Sequence, residues 1–407
     1  MNESERMRHA EGGSRRSFEE RSLALELEQI EITPESLYED NQSEKARNLR
    51  AEWRENRARG NLAVIDKCSD ARSFETSPEN STVIPSIAAS GPIEPFTRVY
   101  EDNRSKLIIE MSHFYIPSFE FGKNPGGCGG RTAKAAHIQN GNGDPEKEGD
   151  IDKFIRENVP HSDVVINSLY RASLIAEKTD EKLVAAVAQD HSSGAYYVIG
   201  FSEKLPSGAL KSVSAVPSHL LFENLYDPKT IYGEGIPYIH RQEIPDELRE
   251  VLEANDKRVH ELFLEFPDYA KTQSIQNPST LIMSTSIKPV RTRFPQTFGL
   301  PGSFFEIRFG RKKIDDNEIV DPKSLSSALN QAHYPIEHSA RNHDDKSKDF
   351  SRTGNILIDT GDIDLSLDLA CELSEKPWMQ EWMKHPEHKI IVSQTRGGEM
   401  TKAQYLT

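Results

Sequence analysis

Three cysteines, Cys68, Cys128 and Cys371, are spread along 407 residues. That number and spacing make no disulfide framework, so each thiol is either buried and inert or bound to a metal. Two of them have neighbours that suit metal chemistry. Cys68 follows the apolar run LAVID in the order Cys68-Ser-Asp70-Ala-Arg72. Cys128 sits in the glycine-rich stretch NPGGCGG, where the backbone can approach an ion closely. His113 closes a second apolar run, KLIIEMSH. Two thiolates and one imidazole suit Zn2+, and three protein ligands leave a fourth position for water, the catalytic rather than the structural pattern. Two thiolates also neutralise the ion, so its water is acidified less than in an all-histidine site. Asp70 is spaced to orient that water, and Arg72 to hold Asp70 through a bidentate pair. His137, on the helix expected from Thr132, is the competing third ligand. His161 and His191 read as surface or proton-relay histidines, and Cys371 as a core residue on the apolar face of a helix.

Such side chains need a scaffold that delivers strand ends to one place. LAVID, STVIPSIAAS and KLIIEMSH are short apolar runs that predict buried parallel strands. Helices are expected at IDKFIRENV and SLYRASLIAEKT, and LVAAVAQDHSSGAYYVIGF predicts a hairpin turning at Ser-Gly. Strands alternating with helices make the class α/β with a mostly parallel sheet flanked by helices, and such sheets gather reactive residues at the carboxyl ends of their strands.

The rest of the chain divides by composition. Residues 1–50 form a charged, partly disordered helical arm. Ser17 and Glu20 make a capping box for FEERSLALELEQ, and Thr33-Pro34 opens a second short helix. The charged run SEKARNLRAEWRENRAR follows, and the region reads as a docking arm for the rest of the protein. Residues 51–205 carry the candidate zinc site, and 206–243, rich in Pro, Gly, Ser and Tyr, form a connector. Residues 244–407 open with the helix IPDELREVLEANDKRVHELFLEF and continue through TLIMSTS, GSFFEIRFG, a helix at LSLDLACELSEKPWMQEWMKH and a final strand, HKIIVSQ.

The net charge of −15 argues against a nucleic-acid partner and against docking on an anionic membrane. No apolar stretch reaches the length of a membrane span, and the N-terminus has no apolar h-region, so a cytoplasmic protein is expected.

The two halves also resemble each other. Set strand on strand, STLIMSTSIK puts Ser284, Ser286 and Lys288 opposite Cys68, Asp70 and Arg72, and KIIVSQ puts Gln394 opposite His113. On that alignment the second half is a degenerate copy without metal ligands, ending before the last hairpin.

Cys68-Ser-Asp70-Ala-Arg72 resembles the Cys-x-Asp-x-Arg signature of the β-class carbonic anhydrases. GGCGGRTAKAA resembles that family's Cys-Gly-Gly segment, and LVAAVAQDHSSGAYYVIG its last strand pair. The family's His-x-x-Cys spacing would put histidine at Pro125, whereas His113 lies fifteen residues before Cys128, with FYIPSFEFGKNPGG as an insertion. A wide gap and an inactive second copy are similar to the carboxysomal shell branch of the family. The resemblance implies Zn2+ on Cys68, His113 and Cys128, with Asp70 and Arg72 as catalytic residues. It implies reversible hydration of carbon dioxide to bicarbonate by zinc-bound hydroxide. A zinc hydrolase acting on another small substrate such as carbon disulfide, and a scaffold protein with a vestigial site, are the rival readings. Family members build their site between two subunits, which leaves a homo-oligomer, and association with a carboxysome shell, open. A tandem pair can supply the same junction within one chain.

Overall fold

The computed structural model describes residues 32–70, 73, 75, 77–86, 93–114, 164–190, 193–215, 238–265, 280–299, 304–314, 317–342 and 354–406. The helices expected after Ser17 and at 151–159 lie outside these residues. The chain is α/β, with two mixed sheets flanked by helices.

The first sheet holds β1 (Ala63–Cys68), β2 (Ser81–Ser86), β3 (Leu107–Phe114), β4 (Leu183–Asp190), β5 (Tyr196–Lys204) and β6 (Leu210–Ser214) in the order β2-β1-β3-β4-β5-β6. Its first four strands are parallel, and β5 and β6 return antiparallel. All six residues of β1 are buried, as expected of a parallel strand covered on both faces. Val64, Ile108 and Val184 pack beneath helices α3 (Thr97–Tyr100) and α4 (Val164–Lys178). Ala63, Ile65, Ile109 and Val187 face the other way, onto helix α5 (Asp246–Glu265) through Leu248 and Leu252. The helix expected to open the second half thus completes the core of the first.

The second sheet holds β7 (Thr280–Ser284), β8 (Phe304–Arg308), β11 (Asn355–Asp359), β12 (Lys389–Arg396) and β13 (Glu399–Tyr405), in the order β8-β7-β11-β12-β13. A small hairpin, β9 (Arg311–Ile314) with β10 (Asn317–Val320), branches off between β8 and β11. Here too the first four strands are parallel and the last is antiparallel. Counting strands as each sheet lays them down, the second therefore reads second, first, third, fourth, fifth, and the first sheet reads the same with a sixth strand, β6, added at the end. Two expectations change. β13 follows HKIIVSQ and supplies the hairpin strand expected to be missing. NILID, passed over in the sequence, is the sheet's third strand, so in strand order β11, and not β12 with Gln394, takes the place that β3 has in the first sheet.

One face of the second sheet, with Leu281, Met283 and Ile358, packs under helices α7 (Pro322–Asn342), α8 (Ile363–Ser374) and α9 (Pro377–Trp382). Cys371 lies on the exposed side of α8 and not in this core, because Leu369, Ala370 and Leu373 take the buried side. The opposite face is covered by the short helix α6 (Val290–Arg293), by Phe294 and Phe298, and by the N-terminal arm. That arm is two helices, α1 (Pro34–Gln42) and α2 (Glu44–Arg59). Thr33 caps α1 through Ser36, with Pro34 at the first turn. Leu37 enters the core, and Asn41 ties the arm down. Its amide donates to the carbonyls of Arg293 and Gly398 at 3.1 Å each, and its oxygen accepts from Met400 N at 2.8 Å.

The sheets meet along β2 and β8. Val83 N on β2 donates to Ile287 O, past the end of β7, at 3.0 Å. Glu306 N on β8 donates to Ser69 O, past the end of β1, at 3.1 Å. The exchange is reciprocal, each edge strand binding the segment that leaves the other sheet's first strand. Asp70 bridges antiparallel to Phe305, and Arg308 Nη1 reaches Val83 O at 2.6 Å. Among the described residues no helix is long and apolar enough to cross a membrane.

Candidate functional site

Cys68 is the last residue of β1 and His113 the next-to-last of β3, its neighbour in the sheet. The ladder between these strands ends at Lys67 and Met111. Cys68 therefore stands one residue past the last paired position and His113 two. Both are buried, at 6% and 1% exposure. By alternation Cys68 continues the row of Val64 and Asp66, and His113 the opposite row of Ile109 and Met111. Cys68 is still paired with Ser86 of β2, and His113 with Gln189 of β4, so the two side chains leave opposite faces of the sheet close to its carboxyl edge.

Asp70 is buried beside Cys68, and its backbone is held in the bridge to Phe305 of the second sheet. Its carbonyl accepts from Ser73 N at 2.9 Å, a turn-like bond between the two residues. Lys67 braces this contact from inside, its ammonium donating to the carbonyls of Cys68 and Ser73. Burial pushes the Lys67 ammonium down, and Glu75 opposes that shift. Arg291, from the second half, donates to Glu75 O at 3.4 Å. The segment following Cys68 is thus fixed from both sheets.

Arg72, Cys128, His137, His161 and His191 lie outside the described residues. Among the described residues, no group of three His, Cys, Asp or Glu side chains is gathered for a metal. Cys68 and His113 are brought to adjacent strand ends, and the other candidate ligands lie outside the described residues.

Beneath them lies a charged cluster that the motifs did not reveal. Asp66 and Glu110 are register partners on β1 and β3, both 0% exposed. Arg171, from α4 and 1% exposed, bonds Asp66 Oδ2 through Nη2 at 2.5 Å and Nε at 3.1 Å, and Glu110 Oε2 through Nε at 3.1 Å. Tyr100 Oη donates to the same Asp66 oxygen at 2.7 Å. Burial acts to discharge the Arg171 guanidinium, but Asp66 and Glu110 outweigh it and hold the group protonated. Burial and Asp66 likewise push the Tyr100 hydroxyl well above its ordinary range. The cluster sets two carboxyl groups on one guanidinium roughly 7 Å below Cys68, two strand residues away. Its signal was a charged residue inside each of two apolar runs, Asp66 in LAVID and Glu110 in KLIIEMSH.

At the corresponding ends in the second sheet stand Ser284-Thr285-Ser286 after β7 and Asp359-Thr360-Gly361 after β11. Neither segment carries a cysteine or histidine. The buried charges there are Arg293, Arg308, Glu306 and Asp359, with Arg293 and Arg308 both bonded to Glu306 Oε1, at 3.1 and 2.6 Å.

No protein-family model matches this sequence, and no curated protein is significantly similar to it.

Proposed function

We propose that the protein is a zinc-dependent hydratase of the β-carbonic anhydrase type, converting carbon dioxide and bicarbonate into one another. The reading rests on the motif Cys68-Ser-Asp70-Ala-Arg72 leaving a buried parallel strand beside a second strand that ends in a buried histidine. A thiolate and an imidazole at neighbouring strand ends fit Zn2+. Cys68, His113 and Cys128 would hold the metal. When bound, zinc supplies a water acidic enough to act as a nucleophile near neutral pH.

The chain's own residues do the rest. Cys68 closes β1 with its backbone fixed by Lys67, so a thiolate there is held with little freedom to lose. Asp70 is kept at the junction by its bridge to β8, and in this reading it orients the water, with Arg72 as its partner. Burial around Cys68 and His113 keeps bulk water from competing for the site. The shared strand order and reciprocal junction support a tandem duplication, in which the ligand-free second half occupies the place of a partner subunit.

Metal analysis with stopped-flow carbon dioxide hydration, on the wild type and on Cys68→Ser, tests the proposal. About one zinc per chain, with hydration lost in the variant, is the expected result. Zinc without hydration in the wild type would move the assignment to another small substrate. A wild type purified with zinc in the medium that holds none would overturn the metal itself.

A further inference from the structure

Helix α2 carries Arg50, Trp53, Arg54 and Arg57 at i, i+3, i+4 and i+7, which puts them on one face. That face meets Lys288, in the segment joining β7 to α6. The Trp53 ring lies 4.5 Å from the Lys288 ammonium and 5.1 Å from the Arg57 guanidinium. Five cations therefore gather here, counting Arg293, in a chain whose net charge is −15.

Three of the five have carboxylate partners. Arg54 pairs with Glu399 at 3.0 Å, Arg57 with Asp102, and Arg293 with Glu306 at 3.1 Å. Lys288 and Arg50 have no carboxylate in bridging range among the described residues. The Lys288 ammonium makes no hydrogen bond or ion pair among them either. Arg50 is 1% exposed; its Nη1 donates to Asn41 O at 2.7 Å, while its buried Nε has no hydrogen-bond partner. The two side chains converge over the turn at Gly397–Gly398. A Cβ added at Gly398 would lie 2.9 Å from the Cδ of each, so this glycine lets them run side by side. Burial, with the guanidinium groups of Arg293, Arg54, Arg57 and Arg50, pushes the Lys288 ammonium down to about 8.

We propose that Lys288 and Arg50, with Arg54 at the rim, form a binding site for a tetrahedral dianion: inorganic phosphate or the phosphoryl group of a phosphomonoester. Two unpaired cations call for two negative charges. Arg50 commits Nη1 to a backbone carbonyl, which leaves the Nε–H edge of its guanidinium to donate to an oxyanion beside the Lys288 ammonium. A tetrahedral oxyanion takes single donors from separate directions, here the Lys288 ammonium and Arg50 Nε–H. Among the described residues, Arg57, Arg293 and Arg54 nearby are matched by Asp102, Glu306 and Glu399, while Arg47, a further cation near Arg50, adds to the positive field.

The test uses the full chain, with calorimetric and thermal-shift titrations of inorganic phosphate and, separately, phenyl phosphate, at constant ionic strength set with chloride. Saturable binding at about 1 mM or tighter is expected, with a matching rise in melting temperature. Equal affinity for the two probes identifies free phosphate as the ligand. At least tenfold tighter binding of phenyl phosphate identifies a phosphorylated small molecule. Lys288→Met is expected to weaken binding tenfold or more, and Arg54→Gln by a smaller factor. In the wild type, phosphate should also protect Lys288 from amine acetylation, a readout that needs no variant. Absence of saturable binding by both probes, undiminished affinity in Lys288→Met, or labelling of Lys288 indifferent to phosphate would each overturn the proposal.

Discussion

Replacing Arg171 with Met should be among the most damaging single changes in the first sheet, and its cost can be worked from the cluster it serves. Arg171 compensates two carboxylates, Asp66 and Glu110, each 0% exposed and directly opposite one another on adjacent strands. Removing one member of a buried ion pair costs ~3–5 kcal/mol, because the other charge is left in a medium that solvates it poorly. Here two like charges are left facing each other, so the upper end of that range, ~5 kcal/mol, is expected. At ~2–4 °C per kcal/mol the melting temperature should fall by ~10 °C or more. Urea unfolding followed by circular dichroism measures the loss. The control is the triple variant Arg171→Met, Asp66→Asn, Glu110→Gln, which discards the charges and keeps the volumes. If the cost is electrostatic, the triple variant should recover at least ~2 kcal/mol over Arg171→Met alone. The amide oxygen introduced by Asp66→Asn would still accept the Tyr100 hydroxyl, so that hydrogen bond is not lost with the charge. A triple variant no more stable than the single one would refute the electrostatic account, and so would a single-variant loss below ~1 kcal/mol.

Other consequences can be checked separately. Lys288 is held near 8 in the fold, below the ordinary lysine range. The folded state binds its proton less tightly than the unfolded state, so the penalty is fully present below about pH 8 and is relieved as pH rises from there toward the unfolded value. Lys288→Met should therefore raise stability at pH 7 by ~1 kcal/mol, after allowance for its partial solvent screening, with the gain shrinking above pH 8 in urea titrations. Gly398→Ala should destabilise by ~1–3 kcal/mol, since φ is +92° and the new Cβ would press on Arg50 and Lys288; an unchanged melting temperature would argue against this turn geometry. Asn41→Ala removes three buried hydrogen bonds that hold the arm and should speed limited proteolysis within residues 34–59, with the second sheet cut later; an unaltered cleavage pattern would count against that anchoring. His113→Ala and His137→Ala, each assayed for bound zinc, decide the third ligand: the expected loss is with His113, and loss only with His137 would reassign it.

Much of the scaffold could be read from apolar runs alone. β1, β2, β3, β7 and β8 are short, strongly apolar and bounded by turn residues, so their burial on two faces leaves a plain mark. NILID escaped because three apolar residues between Gly354 and Asp359 are too few to stand out, although they form the middle of the second sheet. Passing over β11 moved every later strand up by one place and set His113 against Gln394. The placement of α5 could not be read at all, because its Leu248 and Leu252 stripe says that a sheet is covered but not which one. At the candidate site, the order of residues after Cys68 was visible, while its support was not. Asp66, Glu110 and Arg171 come from three separate segments, and only the strand register and the crossover helix bring them together. Cys371 was misjudged because one helical residue among apolar neighbours can still face outward.

The reciprocal bonding of β2 and β8 bears on how the protein behaves when diluted. An edge-to-edge junction between separate subunits obeys mass action and comes apart at low concentration. Here both edges belong to one covalent chain, so each sees the other at an effective concentration of about a millimolar or higher. Asp70, whose backbone is set by that junction, stays in place however few molecules are present. If the protein is the hydratase proposed above, its specific activity should be constant down to nanomolar protein. Neither sheet has to find the other by diffusion, because the chain itself holds β8 against β2.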